Sequence, residues 1–114
     1  MENVVSMDLS HFNTSLVNNM SSMFYGCHSL KSIDLYDIDT SSVVDMNNMF
    51  KDCKELEVLD LSSFDTSLVT NMNSMFNGCE SLIYLDISNF NLENTKNFKS
   101  VFDGDDDLLY VNLY

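Results

Sequence analysis

Residues 59–84 read LDLSSFDTSLVTNMNSMFNGCESLIY. The same pattern returns 26 residues away in both directions, as IDLYDIDTSSVVDMNNMFKDCKELEV at 33–58 and LDISNFNLENTKNFKSVFDGDDDLLY at 85–110, and again as MDLSHFNTSLVNNMSSMFYGCHSLKS at 7–32, without a gap. Self-similarity at a fixed period of a few tens of residues is the mark of an architecture built by stacking one unit. The chain divides into a partial repeat 1–6, repeats 7–32, 33–58, 59–84 and 85–110, and a partial repeat 111–114, all within one domain. Beginning and ending inside a repeat is what a segment cut from a longer array would do.

Within each row, L-x-x-L-x-L (Leu56, Leu59, Leu61; Leu82, Leu85, Ile87) alternates as a short strand does. Phe12, Ile38, Phe64 and Phe90 follow three residues later and are expected to turn inward. A polar turn comes next (Asp65-Thr66-Ser67), made of residues that cap helix N-termini. Val69, Met72, Met75 and Phe76 then fall at i, i+3, i+6 and i+7, which predicts a short helix closed by Gly78, as Gly26 and Gly104 would close theirs. Asp52 stands where the other rows have glycine, so local strain is expected there. One strand and one short helix cannot bury both apolar faces alone, but stacked copies can. The expected fold is an α/β repeat: a right-handed solenoid with a parallel sheet on its concave face and short helices on its convex face, five strands and four helices in all.

Composition narrows the partners. The 114 residues carry 18 acids against 5 lysines, no arginine and a net charge of −13. Nucleic acid, which is bound through a basic stripe, is therefore not expected. A cationic partner or a self-repelling soluble surface fits the charge. No apolar run reaches the roughly 20 residues of a membrane span, and the N-terminus does not read as a signal peptide. Membrane insertion by this chain is not expected.

The run L-x-x-L-D-L-S-x-F-D-T-S-x-V-x-x-M-x-x-M-F-x-G-C closely resembles the 26-residue BspA-like leucine-rich repeat of bacterial and mycoplasma-type surface proteins. Rows one to three carry the resemblance best. The fourth departs, with Leu92-Glu93-Asn94-Thr95 in place of T-S-x-V and Asp105 in the cysteine column. The resemblance implies a binding or adhesion scaffold in an extracellular or cell-surface parent protein, with no catalytic activity.

Three features are candidates for chemistry. Cys27, Cys53 and Cys79 lie 26 apart without the close pairing of a zinc site. Buried packing is the favoured reading of the thiols, with a disulfide between stacked neighbours or a reactive or metal-binding thiol as the alternatives. Asp8, Asp34, Asp60 and Asp86 fill one column between the inward-facing residues of each strand. Alternation turns them outward, beside Tyr36, Tyr84, Tyr110 and Tyr114, and these eight residues form the candidate partner-binding strip on the concave face. Solvated, edge-protecting charge is the competing reading. Asp103, Asp105, Asp106 and Asp107 surround Gly104. An acidic end cap is the favoured reading of this cluster, Ca²⁺ binding the other, and no cofactor is expected.

The leading functional expectation is a noncatalytic protein- or glycan-binding module using the Asp/Ser/Tyr face. The alternative is a structural scaffold whose repeats stack end to end into a filament or spacer, since an open sheet edge is a template for pairing.

Overall fold

The computed structural model describes residues 6–9 and 12–113, the first three through their backbone alone. Five three-residue strands lie parallel: β1 Ser6–Asp8, β2 Ser32–Asp34, β3 Val58–Asp60, β4 Tyr84–Asp86 and β5 Tyr110–Asn112. Strand partners are 26 residues apart, as in Met7 with Ile33, Leu59 with Leu85 and Leu85 with Val111. The ladder is interrupted between β2 and β3, leaving sheets of two and three strands. There the Glu57 amide reaches the Lys31 carbonyl at 3.3 Å. The middle residues of β2 to β5 face the core: Leu59 and Leu85 are fully buried, and Ile33 and Val111 pack partly buried against it.

The wall opposite the strands contains no helix among the described residues, contrary to the expectation for Val69–Gly78 and its equivalents. Backbone hydrogen bonding gives the reason. In the third row the amides of Met75, Asn77 and Cys79 bond to carbonyls three residues back. Those of Met72, Ser74, Phe76 and Gly78 instead cross to Asn97, Lys99, Val101 and Asp103 of the next repeat, at 2.8–3.2 Å. A helix would use every one of these amides locally. Here every second amide joins neighbouring rungs, and isolated parallel bridges run Asn19, Asp45, Asn71, Asn97 without interruption.

The left-handed residues set this pattern. Ser74 (φ 56°) and Gly78 (φ 75°) each occupy the third position of a turn closed by an i to i+3 bond, which is type II geometry. Ser22 and Asn48 repeat the first turn, and Gly26, Asp52 and Gly104 the second, while Ser100 keeps the left-handed angle (φ 54°). Two left-handed residues four apart cannot belong to one right-handed helix. Asp52 does adopt the strained conformation (φ 60°) expected of it. A Cβ added at Gly78 would collide with the Asp52 Oδ1 of the preceding repeat, so Gly78 also makes room for that substitution.

The apolar stripe lines the core as its spacing predicts, although the backbone is a ladder of turns. Val69, Met72, Met75 and Phe76 are all buried, as are Val43, Met46, Met49 and Phe50 one rung earlier. Phe24, Phe50, Phe76 and Phe102 form a near-parallel stack with centroids 5.3, 6.0 and 5.9 Å apart. Ile38 and Phe64 point inward and Phe90 is partly buried. Phe12, expected inside, is 60% exposed in the first rung whose side chains are described, which has a described neighbour on one side only.

Candidate functional site: the outer face of the strands

Strands β1 to β4 carry Asp at their third position and β5 carries Asn112, and the backbone explains part of this choice. Asp34 Oδ1 accepts the Tyr36 amide at 3.0 Å, Asp60 Oδ1 the Ser62 amide at 2.9 Å and Asp86 Oδ1 the Ser88 amide at 2.9 Å. Each carboxylate thereby closes a turn at the end of its strand, where Asp is favoured. Asp34 and Asp60 remain exposed. Asp86 differs, being buried at 9% exposure. Its Oδ2 accepts from Asn112 Nδ2 at 3.2 Å and, at 3.5 Å, from the Tyr84 hydroxyl. Burial pushes the Asp86 carboxyl up, but its hydrogen bonds with Ser88, Asn112 and Tyr84 together hold it below the usual value.

Register brings Asp8 beside Asp34, Asp60 beside Asp86, and Asp86 beside Asn112. The column is therefore continuous within each sheet and broken between β2 and β3. Nothing about the Asp8 side chain is described, and Tyr114 lies outside the described residues. Tyr84 and Tyr110 stack with centroids 5.2 Å apart and planes 5° from parallel. Desolvation first, then the Asp86 carboxylate and Tyr110, hold the Tyr84 phenol above its ordinary value. Tyr36 stands apart from this pair and is 73% exposed. Val58, Ile83 and Leu109 are also exposed along this edge of the strands. The last two were not singled out by sequence, because alternation places neighbours of an outward tyrosine inside, whereas strands of three residues let position 83 and its equivalents leave the pleat.

A family model described as Mycoplasma protein of unknown function, DUF285, matches residues 1–109. The chain belongs to the DUF285 family. No curated protein and no solved structure matches it significantly.

Elsewhere the DUF285 chain uses its polar residues to bind rung to rung. Cys27, Cys53 and Cys79 are free thiols in the core. Cys53 Sγ donates to the Phe24 carbonyl and Cys79 Sγ to the Phe50 carbonyl, both at 3.1 Å. Burial pushes the Cys53 thiol up to about 12 and Cys79 higher still, so at neutral pH both are held as the thiols that donate these bonds. Among the described residues no pocket is present, and no three carboxylate, thiol or imidazole side chains are placed to share a metal ion. Asp103, Asp106 and Asp107 are exposed, whereas Asp105 turns partly inward. Asp105, read from sequence with its neighbours as an acidic end cap, has its Oδ2 buried.

Proposed function

We propose that this chain is a noncatalytic recognition module of a cell-surface or secreted protein. On this reading it is a right-handed leucine-rich-repeat solenoid of the BspA-like type, in which turns replace the convex helices. A protein or glycan ligand lies along the outer face of the strands. The observation that carries this reading is the stacked Tyr84–Tyr110 pair, next to the exposed Asp60 and the apolar Ile83 and Leu109. Paired tyrosines offer a large, stiff, amphipathic contact at small entropic cost. The carboxylates add preference for a partner bearing cations or hydrogen-bond donors.

The test is a binding screen against extracellular matrix proteins and glycans, with and without Ca²⁺, followed by the variant Asp34→Asn/Asp60→Asn/Tyr84→Ala. Binding is expected to fall at least about tenfold, the scale of a 1.4 kcal/mol loss, while circular dichroism stays unchanged. Undiminished binding by the folded triple variant defeats the proposal.

The direction of the inter-rung bonds favours a second reading. Amides at the positions of Met72, Ser74, Phe76 and Gly78 always donate to the following rung. On the next turn Ser100 and Gly104 keep the left-handed angles of Ser74 and Gly78 that set this phase. Such a face accepts a further rung, whether from continuing chain or from another copy, as a stacking scaffold would require. Concentration-dependent growth in light scattering supports assembly of this chain, and a constant monomer mass excludes it.

A further inference from the structure

Asp105 occupies the column that cysteine fills in the three preceding repeats. Its backbone makes their turn: its amide bonds to the Phe102 carbonyl at 3.2 Å, as that of Cys79 does to Phe76 and that of Cys53 to Phe50. In those rungs the side chain reaches back across the stack and donates to a phenylalanine carbonyl 29 residues earlier. The equivalent acceptor for Asp105 is the Phe76 carbonyl. Asp105 Oδ1 already accepts the Cys79 amide at 2.9 Å. Its Oδ2 is buried and has no hydrogen-bond partner among the described residues. An ionised carboxylate can only accept, and this position calls for a donor.

We propose that Asp105 is held protonated in the folded stack, its Oδ2–H donating to the Phe76 carbonyl, so that the last full repeat is fastened by a pH-sensitive clasp. The neutral acid then repeats the thiol's bond through Oδ2 and adds an accepting Oδ1 for the Cys79 amide. Ionisation removes the donor and turns a buried oxygen of like sign toward a carbonyl, which opens the clasp. The titratable groups acting on Asp105 are Asp103 and Asp106 on its own turn and Cys79 in the rung before, with Asp52 acting in turn on Cys79. None of them is a cation. Desolvation by burial is the main cause that raises the carboxyl to about 7, aided by Asp106 and Asp103 and opposed by the Cys79 amide. A folded-state value above the unfolded value of 3.8 means the folded chain binds more protons between the two. Stability from this group is therefore full below about pH 4, falls as pH rises toward about 7 and is absent beyond.

The experiment is a carboxyl-carbon NMR titration of the wild-type chain, with amide-exchange protection of Cys79 measured across the same pH range. The Asp105 midpoint is expected near 7, and Cys79 protection should fall about tenfold or more from pH 5 to 8. Asp105→Asn, which keeps an acceptor and supplies an N–H donor, should hold that protection flat, as should Asp105→Cys. Asp107→Asn, the same change of charge at an exposed site, should retain the wild-type fall. A wild-type midpoint near 4 overturns the proposal without any variant, and so does an Asp105→Asn chain that loses protection as steeply as wild type.

Discussion

Ser74 has a side chain that its backbone angle disfavours. At φ 56° a residue with a Cβ is strained by about 1–2 kcal/mol relative to glycine, and Ser22 and Ser100 share the position while Asn48 relieves it in part. Ser74→Gly is therefore expected to raise stability by about 1 kcal/mol, read as a higher urea midpoint with an unchanged slope. In a helix the same substitution would lower stability by a similar amount, so the sign decides between the two backbones. The sequence carried a signal here that was easy to pass over. Met72, Met75 and Phe76 keep a spacing that helices and successive type II turns both satisfy, so burial was legible and the secondary structure was not. The column of Ser and Asn between the apolar residues was the distinguishing mark, because a short helix facing a core has no need of small polar residues that tolerate left-handed geometry. Asp105 was legible as an exception to its column. Its chemistry was not, because hydrogen-bond direction across the stack is invisible until the cysteines are seen to donate.

At the scale of the repeat, the D-T-S turn shows how a polar motif can hold rungs together. Asp39 and Asp65 each accept the amide and hydroxyl of the serine two residues on, with the hydroxyl bonds at 2.6 Å. The threonine between them faces inward. Thr40 Oγ1 donates to the Asp65 carbonyl at 3.0 Å and accepts the Asp65 amide at 2.9 Å, and Thr14 and Thr66 do the same to Asp39 and Asn91. A motif read from sequence as a helix N-cap is thus a clamp between repeats. Thr40→Val preserves volume but strands both Asp65 backbone groups in a part-buried setting. It should cost about 1–3 kcal/mol in chemical denaturation. A loss below about 0.5 kcal/mol, the usual range for an unremarkable surface change, would show that the clamp contributes nothing. The fourth repeat has Leu92 in this column, exposed at 47%, so the threonine ladder reaches only to Asn91. That departure was visible in the sequence, but without the clamp there was no reason to attach a structural consequence to it.

Over the whole molecule, carboxylates act on stability in opposite senses. Asp39 and Asp65 are held below their usual value, first by the hydroxyl and then by the amide of Ser41 and Ser67, and Asp86 is also low. Groups lowered in the folded state stabilise it above about pH 4 and lose that effect as pH falls. Asp105, raised by burial, destabilises the folded chain as pH climbs toward 7. A net charge of −13 adds self-repulsion in the same direction, since ionisation is nearly complete by neutrality. Stability should therefore peak on the acid side of neutrality, near pH 5, and decline toward both pH 3 and pH 8. Salt separates the two causes of the alkaline decline. Surface repulsion is long-ranged at about 0.01 M salt, where the Debye length is about 30 Å, and is screened at about 1 M, where it is about 3 Å. The desolvation of Asp105 is local and survives screening. Urea midpoints measured from pH 3 to 8 at both salt levels should show a shallower alkaline decline at high salt that does not vanish. In Asp105→Asn the residual decline at high salt should disappear, leaving the acid limb of Asp39, Asp65 and Asp86 intact. A wild-type midpoint that stays level or rises from pH 5 to 8 at low salt would contradict both causes at once, because neither repulsion nor a buried carboxyl can then be acting on the fold.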